Sequence, residues 1–351
     1  MKRQTSRILS SLTSAARQGL PDGCGLIGLC LLSGGTAAQQ GARQSTLQPA
    51  STQAQSIELL WWIMLWAGVA IFLAVMALLA WALWHGRHRE SPLGLTASKN
   101  FVLLAGVAIP ALVLVILVGG SLLLGRSIAS TPPPDAIQVR VTGWMWWWEI
   151  EYLDSAGNVT ATTANEMHVP VDRPVAIELV SGDVIHSFWV PQLQGKTDMV
   201  PGKVNSSWFV ATEAGQYRGQ CAEFCGLQHA LMAFVVVARP EAEFNAWLAH
   251  QAEPAPTPTT DAAQQGLEVF EQSCGQCHRV RGTRAVGVIG PDLTHLASRR
   301  TLAAATLTNN QGHLAGWIGD PQRVKPGNKM PRTLLSPQDM NNLLAYLGTL
   351  E

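Results

Sequence analysis

Cys221-Ala222-Glu223-Phe224-Cys225-Gly226-Leu227-Gln228-His229-Ala230-Leu231-Met232 places two thiols, an imidazole and a thioether within twelve residues. The C-x3-C-x3-H-x2-M spacing lets one loop fold back and point all four inward, which makes it a metal cradle. Thiolate, thioether and imidazole donors suit a soft or borderline ion, whereas a hard cation wants carboxylates and carbonyls. Copper and zinc are the candidates. A Cys2His2 zinc site needs one further histidine but gains nothing from a thioether, so Met232 favours copper. His186, in the strand-like Asp183-Val184-Ile185-His186-Ser187-Phe188-Trp189, can supply the missing imidazole. The bland alternative is a reduced cysteine pair with a core methionine and two incidental histidines.

Cys274-Gly275-Gln276-Cys277-His278 carries a second chemistry. C-x-x-C-H is the attachment signature of c-type haem: two thioethers anchor the porphyrin and the next histidine becomes the proximal iron ligand. A disulfide beside a surface histidine is the rival reading. For the distal ligand Met330 is favoured, in the loop Pro326-Gly327-Asn328-Lys329-Met330-Pro331, and thioether ligation raises the potential. Met340 lies at helical spacing with Leu343, Leu344 and Leu347 and reads as core, while His295 or His313 would give bis-histidine ligation instead.

These motifs must be held by something, and the composition says where. Charged residues are only 14% against 13 Trp, which points to membrane segments with aromatic belts. Lys+Arg and Asp+Glu balance at 24 each, giving no reason to propose a nucleic-acid partner. Six cysteines sort into the pairs Cys24/Cys30, Cys221/Cys225 and Cys274/Cys277, and no disulfide framework is needed. Residues 1–38 read as a signal peptide: Lys2, Arg3, Arg7 and Arg17, an apolar centre from Gly25 to Leu32, and Thr36-Ala37-Ala38 before a start near Gln39. Leu29 before Cys30 is too large for a lipoprotein signal.

Leu59 to Trp84 and Phe101 to Gly125 are uncharged runs long enough to cross a hydrocarbon core of about 30 Å, so 56–125 is predicted as a transmembrane hairpin. Arg87, Arg89 and Lys99 place the short loop between them in the cytoplasm and both flanks outside. Beyond Pro132-Pro133-Pro134, residues 132–252 hold short β-branched and aromatic segments separated by turns: Ile137–Thr142, Trp146–Tyr152, Val175–Val180, Ser187–Val190, Trp208–Val210 and Ala233–Ala238. That pattern predicts a β-sandwich or Greek-key barrel. Trp144 to Trp148 are expected to alternate across one strand. Residues 253–260 form a Pro-rich, semi-rigid linker, and 261–351 the haem domain.

The copper loop, His186 and the run Trp144-Met145-Trp146-Trp147-Trp148-Glu149-Ile150-Glu151-Tyr152 resemble subunit II of haem–copper cytochrome c oxidases. The C-terminal part, with Gly290-Pro291-Asp292-Leu293, resembles small class I cytochromes c, so the whole is similar to a caa3-type subunit II with a fused cytochrome c. The resemblance implies a multidomain membrane protein: a two-helix transmembrane hairpin, an all-β cupredoxin-like Greek-key domain and an all-α cytochrome c domain. It implies a dinuclear CuA centre bridged by Cys221 and Cys225 and capped by His186 and His229, with Met232 and the Glu223 carbonyl as weak ligands. It also implies magnesium at the subunit I interface through the Glu223 side chain, and Trp146 as an exposed ring that receives electrons.

The implied function is electron input to a proton-pumping terminal oxidase, from cytochrome c or another respiratory donor through haem c and CuA to haem a and CuB of subunit I. Subunit III and membrane lipid are the further implied partners, and the implied location is the bacterial inner membrane with the redox domains on the periplasmic face. A CuA-bearing subunit of a nitric oxide reductase and a non-redox structural oxidase subunit are the rivals; the filled ligand set argues against the second. The linker is expected to hold the haem domain near the copper at roughly millimolar effective concentration. One departure stands out: the acidic residue that the family carries near the start of the second helix has no counterpart in Ser98-Lys99-Asn100-Phe101.

Overall fold

The computed structural model describes residues 44–85 and 95–351. The expected signal peptide at 1–38, with Cys24 and Cys30, and the basic residues Arg87 and Arg89 lie outside the described residues.

Unbroken apolar sequence gives the first helix, α1 (Thr52–His85), whose 34 residues span about 51 Å. It begins earlier than hydropathy alone predicts. Ser51 Oγ accepts from Ala54 N at 3.0 Å as an N-cap, and buried Gln53 accepts from Val210 N at 3.2 Å, so the first turn is anchored in the β-domain. The second apolar run forms α2 (Leu95–Leu103), a π-helical turn (Leu104–Ala108) and α3 (Ile109–Ile128). Pro110 explains the interruption: it cannot donate to the preceding turn, and the helix widens ahead of its ring. Thr52–His85 and Ala97–Arg126 are long and apolar enough to cross a membrane, and their apolar side chains face outward.

Ten strands follow: β1 (Ile137–Trp144), β2 (Trp147–Leu153), β3 (Val159–Ala164), β4 (Glu166–Pro170), β5 (Pro174–Ser181), β6 (His186–Trp189), β7 (Thr197–Met199), β8 (Asn205–Val210), β9 (Gly215–Cys221) and β10 (Ala233–Arg239). They make two five-stranded sheets, ordered β3-β2-β1-β5-β8 and β4-β10-β9-β6-β7. β1 runs parallel to β5 and β4 to β10; the remaining pairs are antiparallel. Alternation along β2 turns Trp148, Ile150 and Tyr152 inward, where Trp148 meets Phe188 and Phe234 between the sheets. The tryptophan run is not one strand, as expected from its alternation. Trp144 ends β1, Trp147 begins β2 and faces it in register, and Met145-Trp146 form the tip. α4 (Glu241–Ala252) closes the domain by burying Phe244 in the same core.

The C-terminal part opens with α5 (Asp261–Ser273), capped by Thr260 Oγ1 on Ala263 N at 3.2 Å. Then come a small ladder of β11 (Thr301–Leu302) and β12 (Leu307–Thr308), and helices α6 (Gln311–Gly319), α7 (Pro321–Val324) and α8 (Pro337–Leu347). α5 packs on α8 at Gly266, where a Cβ would run into the Asn342 carbonyl, so the crossing demands glycine. The two-stranded ladder is an addition to the expected all-helical domain. Its turn, Ala303–Ala305, takes φ of 52°, 57° and 56°. Residues 254–259 carry no helix or strand, but they are not a free tether: Ala255 N donates to Arg281 O at 3.0 Å and packs on the C-terminal core.

Candidate metal centre and haem cavity

Strand pairing assembles the metal cradle. Antiparallel β6 and β9 place Phe188 opposite Cys221, which brings His186 at the start of β6 beside the end of β9. Cys221 N donates to Met232 O at 2.8 Å, closing the base of the loop just before β10. Inside, the Cys221 and Cys225 sulfurs stand 3.7 Å apart, too far for a disulfide. His186 Nδ1 lies 3.8 Å from the Cys221 sulfur; His229 Nδ1 and Met232 Sδ lie 3.6 and 3.8 Å from that of Cys225. The Glu223 carbonyl is 3.1 Å from the Cys221 sulfur, while its side chain is half-exposed beside Lys196. Two donors bound ~2.3 Å from one ion at a tetrahedral angle stand about 3.8 Å apart, so these separations suit donors that share metal ions. The two imidazoles flank opposite sulfurs.

Electrostatics prepares the donors. The hydrogen bond between the two sulfurs holds Cys221 well below the usual thiol range, and the same bond, with burial, pushes Cys225 up. Burial pulls His186 down, but the Cys221 thiolate and the Asp183 carboxylate outweigh it and raise its pKa. Asp183 Oδ1 accepts from His186 Nε2 at 2.9 Å, which leaves Nδ1 to face the cradle. Asp183 also accepts from Met145 N at 2.8 Å and meets Lys329 Nζ at 3.4 Å. Its role was invisible in the sequence, although it heads the segment that holds His186.

Cys274, Cys277, His278 and Met330 line one cavity of about 430 Å³. The turn after α5 sets the first three, with His278 N and Cys277 N both donating to Cys274 O at 3.0 Å. His278 Nδ1 donates to Pro291 O at 2.9 Å, fixing the tautomer that leaves Nε2 free. Gly290 makes room for the ring: a Cβ there would stand 2.6 Å from His278 Cε1. Burial pushes the Cys274 thiol up to about 11. Met340 instead packs on the core, and the His295 ring nitrogens face the carbonyls of Glu351 and Glu253 at 2.6 and 3.2 Å. His313 is exposed and bound to Thr308 O at 2.8 Å.

A haem fits this lining for a further reason. The adjoining part of the cavity holds the guanidinium of Arg299, whose buried Nε has no partner, among apolar walls including Leu296, Leu302 and Leu347. An unpaired buried donor in an apolar pocket calls for an anionic group, which the porphyrin carboxylates provide. Nothing in the sequence around Arg299 marked it.

The tryptophan tip joins the two sites. Trp144, Met145, Trp146 and Trp147 line the haem cavity, and Trp146 Nε1 donates to Cys225 O at 2.9 Å. Trp146 is 8% exposed, not the open ring expected: its indole lies against Gly226 of the cradle loop and joins the β-domain core.

Residues 155–239 match the family model described as cytochrome c oxidase subunit II, periplasmic domain, and residues 263–351 match that of cytochrome c. Cytochrome c oxidase subunit 2 of Alkalihalophilus pseudofirmus is 39% identical over 251 residues, covering 69% of this chain and 71% of the relative. The subunit 2 of Bacillus subtilis is 34% identical over 272 residues, covering 72% and 75%. Among solved structures, the periplasmic domain of subunit II of cytochrome oxidase from Bradyrhizobium japonicum is similar at 30% identity, with TM-score 0.32 over 34% of this chain and 95% of that one.

Proposed function

This chain belongs to the cytochrome c oxidase subunit II family with a cytochrome c domain at its C-terminal end, and on that premise we propose how it feeds electrons to the oxidase. It is a subunit of a haem–copper terminal oxidase that carries copper and haem c and works with other oxidase subunits. In our reading electrons pass from cytochrome c or another respiratory donor, through haem c and a dinuclear CuA centre, to the haem a/CuB site of subunit I, in a proton-pumping complex that also contains subunit III. The hairpin at 56–125 anchors the chain among lipids of the bacterial inner membrane, and the domains at 132–252 and 261–351 stand on the periplasmic face.

When bound, the two cofactors supply reversible one-electron chemistry. The chain's own residues supply the rest. Cys221, Cys225, His186 and His229 would hold the copper, with Met232 and the Glu223 carbonyl as weak ligands; the half-exposed Glu223 side chain would be left to reach a magnesium ion at the subunit I interface. Cys274 and Cys277 would form the thioethers, His278 and Met330 would ligate iron, and Arg299 would donate to a haem carboxylate. One observation carries the reading: Trp146 lines the haem cavity and hydrogen-bonds the carbonyl of a copper-cradle cysteine. The test is Cys221→Ser or Cys225→Ser in the full chain. Both should abolish bound copper and leave the covalent haem reducible; unchanged copper content would refute the assignment.

A further inference from the structure

Lys325 is 2% exposed, yet among the described residues no carboxylate pairs with it. A buried ammonium is costly unless each of its donors is met. Here they are met by main-chain carbonyls from three different turns: Trp146 O at 2.9 Å, Leu231 O at 3.0 Å and Ala303 O at 3.3 Å. Three N–H donors find three acceptors. The first acceptor is the tip that lines the haem cavity, and the second immediately precedes Met232 in the copper loop. The third belongs to the left-handed Ala303–Ala305 turn, a conformation unfavourable for alanine that persists only where surrounding contacts offset it.

Neighbouring contacts reinforce the junction. Gln228 Nε2 donates to Pro326 O at 2.6 Å, and Ala233 N donates to Ala304 O at 3.2 Å. In the Lys329–Asp183 pair at 3.4 Å the lysine side chain is largely exposed, so the pair adds little.

We propose that Lys325 is a positioning residue for electron transfer, a docking key that locks the cytochrome c domain onto the copper loop and the Trp146 tip. The proposal rests on the electron-input reading above. The step it serves moves one electron from ferrous haem, which becomes ferric, to the oxidised copper pair, with no bond made and no proton moved. Docking through a buried key replaces the diffusive search of a tethered domain with one fixed geometry.

Two experiments on the full-length protein loaded with both cofactors test it. Amine acetylation followed by mass spectrometry should label Lys325 at least about tenfold more slowly than exposed Lys329, because a buried amine reacts only from the open form. Equal labelling would overturn the proposal, whatever the variants do. Next, one electron is photo-injected at the haem and its arrival at copper is timed. The parent rate should not respond to added glycerol. Lys325→Met should be at least about tenfold slower and become viscosity-dependent, with the haem and copper absorption bands unchanged. A Lys325→Met rate equal to the parent's would overturn the role; loss of either band in that variant leaves the labelling result to decide. Absence of any haem-to-copper transfer in the parent would strike the electron-input reading itself, not the lysine.

Discussion

Trp146 donates its indole N–H to the carbonyl of Cys225 at 2.9 Å while the same ring lines the haem cavity. The bond ties the tip between β1 and β2 to the metal cradle. Trp146→Phe keeps a ring but leaves that carbonyl without its donor, and should lower unfolding stability by about 1–3 kcal/mol in denaturant titrations. Copper content should survive, whereas the haem-to-copper rate should fall. An unchanged rate would remove Trp146 from the path.

Asp183 holds His186 by Nε2 at 2.9 Å and thereby turns Nδ1 toward Cys221. Asp183→Asn removes the charge but keeps the shape. Copper affinity, measured by chelator competition, should fall roughly 10–100-fold, the usual consequence of losing a ligand's orienting partner. Affinity equal to the parent's would mean that β6 alone orients the imidazole.

Gly290 touches the face of His278, and an added Cβ would lie 2.6 Å from Cε1 with a buried ring as the obstacle. Gly290→Ala should still permit thioether formation at Cys274 and Cys277 but displace the axial imidazole. The optical spectrum should lose its six-coordinate low-spin character; a parent-like spectrum would show that the Pro291 loop can yield.

Glu166, buried in the β-domain, accepts from His168 Nε2 at 2.8 Å and from Arg300 N of the cytochrome c domain at 2.9 Å. Burial pushes its carboxyl up, but these two bonds win and hold it below the ordinary 4.5; burial holds His168 below 6.5. Both groups bind protons more weakly folded than unfolded. As pH falls the unfolded chain protonates first, so their stabilisation is complete above 6.5 and is lost downward, first through His168 and then through Glu166. Denaturation midpoints should therefore drop as pH falls below 6.5, and Glu166→Gln should flatten the acidic part of the profile. A parent and variant with parallel profiles would contradict this linkage.

Much of the metal cradle was legible because its donors crowd one loop of twelve residues and sulfur donors are rarely incidental in that density. The strand that delivers Cys221 was not. β9 reads Gly-Gln-Tyr-Arg-Gly-Gln-Cys, whose polar residues and glycines hide a paired central strand, and β3 and β4 are similarly masked by threonines and by the buried Glu166 and His168. The tryptophan run misled because alternation continues across a tight reversal, so periodicity alone could not place the turn at Met145-Trp146. Domain docking was beyond reach for a different reason: Lys325 meets Trp146 across 179 positions through a main-chain carbonyl, which leaves no mark on residue type. A Pro-rich linker likewise says how far a domain can reach, not where it sits.

Metal and haem stoichiometry of the full-length chain, purified in detergent after haem maturation and copper reconstitution, addresses the central claim directly. Two coppers and one covalent haem per chain, with a near-infrared band from a mixed-valence pair, are the predicted result. One zinc in place of the copper, or haem with an empty cradle, would contradict the account and leave a membrane-anchored cytochrome.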